Sequence, residues 1–443
     1  MASGTANKFK VAFICHFSNH EIRKKLPLSM FRVQNAIRSY LGKNKKNNYS
    51  DFAPWVTNLI KEFEKFEEVE LHVIAPHKGL TRLTHDFELN GVYYHFFKPD
   101  LPFIHKKIPR KLLLGRKPIY YANRFFIKRL IKSIKPDIVD LIGTENPYYS
   151  IASLDIKNIP IYVSVQTVYT NPDRKKLSGS CDRARWNLEL EIHQKVKYYG
   201  CGGRMHRDLI LKNNPNAIIL KKFFPKSQPT LVKDINKKYD FVFFAAGVTK
   251  KKGIEDAIEA LAKVKKHKNE VSLNVVGSCS SEYKRYLLNK IDEYELKQNI
   301  VFHDYFPLQS GMFKHIQKSK FAILPIKLDV IPGTILEAMY LELPVVTYKT
   351  TGTPYLNKND QCVLLSDIGD IDILAKHMIK LLNSPSFAEK LKSKAKVFVE
   401  KEFDSTSCAK RFLKNYKAVI NHYYHNKPVP KELSFDLKEF PVY

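Results

Sequence analysis

Phe241-Val-Phe-Phe-Ala-Ala-Gly247-Val-Thr-Lys-Lys-Lys-Gly253-Ile-Glu-Asp256 reads as one strand, one turn and the opening of one helix. Residues 241–245 form an apolar run of strand length, a glycine and three lysines follow, and helical periodicity takes over across 254–265. The same unit recurs downstream. Strands are expected over 271–276, 300–302, 321–325 and 345–348, with helices over 281–294, 310–318 and 335–341 between them. Strands alternating with helices imply right-handed βαβ crossovers and a parallel sheet.

Upstream the alternation is looser but of the same kind. Strands are expected over 11–15, 69–75, 92–97, 138–142 and 161–165, with an amphipathic helix within 51–66 and another over 121–134. Residues 221–238 hold Pro225, Pro229 and several lysines without sustained apolar periodicity, which marks a linker. The expected organisation is therefore α/β, with two Rossmann-like parallel-sheet domains over 1–225 and 226–410 facing a central cleft. A C-terminal helix and tail over 411–443 are expected to return to the first domain. Ligands of such sheets sit at the carboxyl ends of the strands.

The chain has 443 residues, with 74 Lys+Arg against 44 Asp+Glu, a net charge of +30, and 44% hydrophobic residues. That apolar content fills real cores and excludes wholesale disorder, and scattered Gly and Pro exclude collagen-like and low-complexity chains. No apolar run approaches the about 18 to 20 residues of a membrane span, and the first residues lack a signal-peptide core, so a cytoplasmic location is expected. The cysteines Cys15, Cys181, Cys201, Cys279, Cys362 and Cys408 are widely spread, as reduced structural thiols are. The positive charge attracts anions. Much of it lies on helical stretches that read as solvated faces, whereas Arg23-Lys-Lys25, Lys106-Lys107, Arg110-Lys111 and Arg116-Lys117 are denser clusters where an acidic surface would dock.

Two constellations carry chemistry. In Gly247–Gly253, a loop before a helix gathers backbone amides, the positive end of the helix dipole and Lys250, Lys251 and Lys252 at one point, an anion site suited to a diphosphate. The G-x-x-x-x-G-K-[ST] pattern of a Walker A loop is absent. In Asp329-Val-Ile-Pro-Gly-Thr-Ile-Leu-Glu337, two carboxylates stand eight positions apart around Pro332-Gly333. Thr334-Ile-Leu-Glu337 also matches a capping box, which would make Glu337 a first-turn helix-capping residue with no role in binding. The pattern alone leaves both readings open.

In order and spacing the chain resembles the retaining glycosyltransferases of family 4. The resemblance rests on Ala245 to Asp256, Val275-Val-Gly277, Asn299-Ile-Val-Phe302, the Asp329 to Glu337 pair, Leu343-Pro-Val-Val346 and Thr351-Gly-Thr-Pro354. In the first half it adds Pro136-Asp-Ile-Val139, Gly143-Thr-Glu-Asn146 and Gly203-Arg204. The resemblance implies the two-domain GT-B fold and a nucleoside-diphosphate sugar, of the UDP or GDP type, as donor substrate. It implies that Asp329 contacts the sugar and Glu337 the ribose hydroxyls. Lys252, with Lys250, Lys251 and the segment Pro332-Gly333-Thr334-Ile335, would hold the donor's diphosphate, with no metal and no further cofactor. Three positions depart from the family: Gly247 stands where a basic residue is usual, the first acid is Asp, and Gln166 replaces a histidine. Gln166 can donate a hydrogen bond to the sugar but cannot act as a base, and Lys250, Lys251 or Arg204 can stand in for the missing cation.

Acceptor contacts are expected from His16 and His20 after the first strand, and from Glu145, although a lone loop histidine is commonly just solvated. The function implied is a retaining hexosyl or amino-sugar transfer to a glycan or lipid-linked saccharide in surface polysaccharide synthesis, with a peripheral contact to anionic membrane through the basic first half. The alternatives are a nucleotide-sugar epimerase, a glycogen-type enzyme, or a basic nucleic-acid-binding protein. The last lacks an RNP, helix-turn-helix or zinc motif, so no nucleic-acid partner is expected.

Overall fold

The alternating pattern folds as two separate sheets. The computed structural model describes residues 8–29, 39–40, 51–99, 120–172, 182–226, 228–232, 234–303, 306 and 308–440. The chain splits into two compact units, one of Met1–Cys201, His206–Pro225 and Ser405–Phe435, the other of Gly202–Met205, Lys226–Asp404 and Asp436–Tyr443.

The first unit holds β1 (Phe9–Ile14), β2 (Val69–Pro76), β3 (Thr84–Leu89), β4 (Val92–Phe97), β5 (Ile138–Ile142), β6 (Ile161–Ser164), β7 (Tyr198–Cys201) and β8 (Ile218–Lys221). They form one sheet in the order β3-β4-β2-β1-β5-β6-β7-β8, parallel except for the β3–β4 hairpin. That hairpin was not expected from the sequence. It turns at Asn90-Gly91, whose φ values of 53° and 76° are the left-handed pair a tight two-residue hairpin requires. The inner strands β1 and β5 are apolar save Lys10, near the start of β1, and Asp140, because helices cover both faces of a parallel sheet.

The second unit holds β9 (Tyr239–Gly247), β10 (Leu273–Ser278), β11 (Ile300–His303), β12 (Ser319–Leu324), β13 (Val345–Tyr348) and β14 (Leu364–Ser366). Their order is β11-β10-β9-β12-β13-β14, and every pairing is parallel. The helix Ile254–Lys265 buries Ile254, Ala257, Ile258, Leu261 and Val264 in the core, which explains its periodicity. With β9 and β12 adjacent, the loops that leave their carboxyl ends emerge side by side.

The C-terminal boundary differs from the expectation. The last long helix runs Ser405–His425, so position 410/411 lies inside it; Phe412, Tyr416 and Val419 pack into the core of the first unit. Tyr416 and Ser164 both donate hydrogen bonds to the buried Asp140 Oδ2, which ties the helix to β5 and β6. From Asp436 the tail groups with the second unit, where Phe440 stacks on Tyr355 at 4.6 Å between ring centroids.

Candidate functional site

The loop after β9 is held by close backbone approaches. Gly277, at the end of β10, has φ 140°, and a β-carbon there would stand 2.0 Å from the Ala245 carbonyl oxygen. Lys250–Lys252 make a single 3-10 turn closed by Gly253, whose φ is 82°. A β-carbon on Gly253 would lie 1.9 Å from the carbonyl oxygen of Pro325, just past β12, so only glycine fits. The Lys327 amide donates to the Lys251 carbonyl at 3.1 Å, and Lys327 Nζ pairs with Asp256 Oδ1 at 2.7 Å. The loops after β9 and β12 are thus stitched together.

That stitching brings Lys252 Nζ to 3.6 Å from Asp329 Oδ2, with both side chains about a third exposed. Lys252 is half-buried, whereas Lys250 and Lys251 are exposed. Of the three lysines, the structure places Lys252 against the carboxylate. Gly247 leaves open space around its α-carbon, the nearest atom to an added β-carbon being Thr249 Cγ2 at 4.0 Å. Gly203, which groups with the second unit, packs on Val330, where a β-carbon would meet Val330 Cγ1 at 2.7 Å, and Arg204 follows it in the chain.

The helix Gly333–Tyr340 starts from Pro332 with no side-chain cap. Thr334 is its second residue, not its N-cap, and its hydroxyl is buried without a hydrogen-bond partner. The capping box therefore does not form, because Pro332 sets the helix start two residues too early for it. Glu337 lies in the second turn rather than the first. Its Oε1 accepts from Gln309 Nε2 at 3.5 Å. Burial pushes its carboxyl up to about 6, and the Lys226 ammonium pulls it back in part. Ile335 is fully buried beneath the same turn. Lys226 and Gln309 were not singled out in the sequence. Lys226 stands in a lysine-rich linker where composition gives no reason to prefer one lysine, and Gln309 lies one residue before the expected helix start.

In the first unit Gln166, Glu145 and His16 follow the carboxyl ends of the adjacent strands β6, β5 and β1. Gln166 Nε2 donates to the Ile142 carbonyl at 3.0 Å, so one of its N–H groups serves the fold. Glu145 is buried and folds over Gly143, where φ is 86° and a β-carbon would meet Oε2 at 2.5 Å. Arg185 donates to the Glu145 carbonyl and, at 2.7 Å, to Asn146 Oδ1. His16 hydrogen-bonds the Tyr148 hydroxyl through Nδ1 and lies 4.3 Å from the Phe52 ring, centroid to centroid. Burial, with His77 and Lys78 nearby, lowers its pKa to about 4, so it is neutral at pH 7. His20 is exposed on the first turn of His20–Lys25, a helix capped by Asn19, and does not share the His16 environment. Tyr148 and Arg185 gave no sequence signal, since each reaches its partner from a different segment.

Among the described residues no group of three or more His, Cys, Asp or Glu side chains is arranged to hold a metal ion, and no helix is long and apolar enough to cross a membrane. Cys15, Cys201, Cys279, Cys362 and Cys408 are free thiols, and Cys181 lies outside the described residues.

Two parallel-sheet α/β units define the GT-B fold, and residues 231–398 match the family of glycosyl transferases group 1. The match falls within the second unit and is to a group 1 glycosyltransferase domain. It is similar to the sucrose-phosphate synthase of Thermosynechococcus elongatus at a TM-score of 0.65 and 13% identity, over 93% of this chain and 98% of that one. Anabaena Alr3699/HepE, solved in complex with UDP and glucose, gives a TM-score of 0.63 and 12% identity over 92% and 99%. TarM gives 0.56 and 17% over 67% of this chain, which spans 58% of TarM's own length. No curated protein matches the sequence.

Proposed function

We propose that this chain transfers a sugar, with retention of anomeric configuration, from a nucleoside diphosphate to a hydroxyl of a glycan or lipid-linked saccharide in surface polysaccharide synthesis. The observation that carries this is the meeting of Lys252 and Asp329 at 3.6 Å where the loops after β9 and β12 are stitched together. A cation beside a carboxylate, next to a helix start, suits a ligand with a charged diphosphate and a hydroxylated sugar. That the Anabaena neighbour was solved with UDP and glucose supports a donor of this class.

In the transfer the bond from the anomeric carbon to the diphosphate oxygen breaks, and its electron pair leaves with the nucleoside diphosphate. The acceptor oxygen bonds to the anomeric carbon, and its proton ends on the released diphosphate. Lys252 and the first amides of Gly333–Tyr340, from Gly333 to Ile335, stabilise the charge that develops on the leaving group. Lys250, Lys251 and Arg204 add to the positive field there. Asp329 accepts from the sugar hydroxyls and Glu337 from the ribose. In the first unit, Gln166 keeps a second N–H with which to donate to a ligand hydroxyl. Glu145 and His16 bind the acceptor, with neutral His16 offering an imidazole nitrogen; His20 lies too exposed to add more than a rim contact.

A thermal-shift series with UDP, GDP, ADP and their sugars tests the assignment. A true donor at 100 times its dissociation constant stabilises the fold by about 2.7 kcal/mol. Failure of every nucleotide to shift the transition would overturn it.

A further inference from the structure

A partly exposed aspartate in a loop, such as Asp329, would by itself turn among several rotamers. What limits it is the next residue. The Val330 amide donates to Asp329 Oδ1 at 2.9 Å, which leaves Oδ2 as the oxygen facing Lys252. The direction of the carboxylate therefore follows the peptide between residues 329 and 330, because turning that peptide would carry the N–H away from Oδ1. A hydrogen bond weakens steeply once it is bent.

The loop after β13 grips this peptide and the one that follows it. Thr351 Oγ1 donates to the Asp329 carbonyl at 3.4 Å, and Thr350 Oγ1 donates to the Val330 carbonyl at 2.7 Å. The carbonyls on both sides of Val330 thus meet a hydroxyl, and the Thr350 bond is the short one. Thr350 is fixed to the sheet in turn. Its amide donates to Thr353 Oγ1 at 2.7 Å, and Thr353 Oγ1 donates to the carbonyl of Tyr348, the last residue of β13, at 2.8 Å. Gly352 allows the close fit, because a β-carbon there would stand 2.7 Å from Val330 Cγ1 and 2.8 Å from the Val330 carbonyl oxygen. Neutral hydroxyls set a direction here without adding charge beside the Lys252 ammonium. We propose that Thr350 is a positioning residue of the donor site, holding the Val330 backbone so that Asp329 presents its carboxylate to the donor's sugar in one direction. A carboxylate held in place beforehand loses less freedom on binding. The proposal rests on the reading of Asp329 as the sugar contact, and Thr350 acts through that residue.

Calorimetric titration of the full chain with the nucleoside diphosphate selected by thermal shift, and with its sugar ester, tests this; the pairs are UDP with UDP-glucose, GDP with GDP-mannose and ADP with ADP-glucose. Thr350→Val removes the hydroxyl and keeps the branched shape. It is expected to weaken the sugar ester about threefold to tenfold, the range of one neutral hydrogen bond, and the diphosphate by less than about twofold. Thr350→Ser, which returns the hydroxyl, should bring the sugar ester back to within about twofold of wild type. In an Asp329→Asn background Thr350→Val should add less than about twofold, because the two residues share one interaction. Wild-type affinity for the sugar ester in a folded Thr350→Val protein, equal loss of both ligands, or losses that multiply in the double variant would overturn the assignment and leave the donor reading standing. If Asp329→Asn leaves the sugar ester unchanged, Asp329 is not the sugar contact and the inference falls with it. Should the wild-type chain bind neither ligand of any pair, the donor reading itself fails.

Discussion

Glu337 carries a cost that a helix-capping glutamate would not. Its carboxyl titrates near 6 in the folded chain against a usual 4.5, with burial as the main cause. The folded state therefore holds this proton more tightly than the unfolded one. The associated stability is full below about pH 4.5 and is lost as the pH rises through about 6, a difference of about 2 kcal/mol. Glu337→Gln should accordingly raise the unfolding free energy at pH 7 by up to about 2 kcal/mol and flatten the profile between pH 4.5 and 6. The same variant should raise the donor dissociation constant and cut turnover at least about tenfold, as loss of a charged hydrogen-bond acceptor does. A capping residue would give the reverse pattern, with stability lost and turnover kept. Denaturant titration at the two pH values, alongside turnover, separates them. Lys252→Ala should leave stability within about 1 kcal/mol, since its pair with Asp329 is partly solvated. It should nevertheless weaken UDP or GDP and pyrophosphate alike, and equal affinity of mutant and wild type would refute its role.

At the scale of elements, the site depends on turns more than on side chains. Gly253→Ala must both hold a left-handed φ of 82° and move a carbonyl that would lie 1.9 Å away. The left-handed strain alone is about 1 to 2 kcal/mol, and the displaced turn drags Lys252 from Asp329. Lower thermal stability and loss of nucleotide binding are both expected. Gly91→Ala is the matched control: φ is 76° but nothing stands within 4 Å of an added β-carbon, so only stability should fall. Binding loss in Gly91→Ala, or none in Gly253→Ala, would contradict this account. The same turns explain what was legible beforehand. Val92–Phe97, Tyr121–Ile134, Ile138–Ile142, Ile254–Lys265 and Val345–Tyr348 coincide with the expected elements because each carries one clean apolar period. β3 was missed because an edge strand, Thr84-His-Asp-Phe-Glu-Leu89, exposes every second residue and reads as polar. Its signal was the Asn90-Gly91 turn. Three-residue β14 was too short to show a period. Lys252, Asp329 and Glu337 stood out because they sit in local motifs, whereas Lys226, Gln309 and Tyr148 reach their partners across long sequence separations. The capping-box alternative does not hold because Pro332 starts the helix before Thr334.

For the whole molecule the net charge of +30 has to be placed before it can explain anything. In helix Pro385–Glu402 lysines alternate with Glu389, Glu400 and Glu402, and Lys392 and Lys396 pair with Glu389 and Glu400, so its charge is largely answered locally. Helix Tyr121–Ile134 differs. It has no acidic residue, exposes Lys128, Arg129 and Lys132, and leaves Phe125 52% exposed among them. Lys106, Lys107, Arg110 and Lys111 precede it in the chain, as do Leu101-Pro-Phe-Ile104, Leu112-Leu-Leu114 and Arg116-Lys117, and all of these lie outside the described residues. Basic residues interleaved with exposed aromatic ones suit an anionic leaflet, where each Lys or Arg near the surface contributes about 1 kcal/mol and an aromatic ring sits at headgroup depth. If the acceptor is lipid-linked, attachment through this part of the first unit would bring the enzyme to it. Binding to vesicles containing phosphatidylserine should be clear at low salt and released near 1 M, where the screening length shrinks to about 3 Å. Changing Lys106, Lys107, Arg110 and Lys111 together to Gln should weaken it, and changing Lys128, Arg129 and Lys132 to Gln should weaken it further, with nucleotide-induced thermal shifts unchanged in both. Because the residues proposed for the donor lie in the second unit, that last control separates a lost surface from a lost site. If neither set alters sedimentation, or the wild type stays in the supernatant at low salt, the charge serves solvation, and a soluble glycan becomes the acceptor to test.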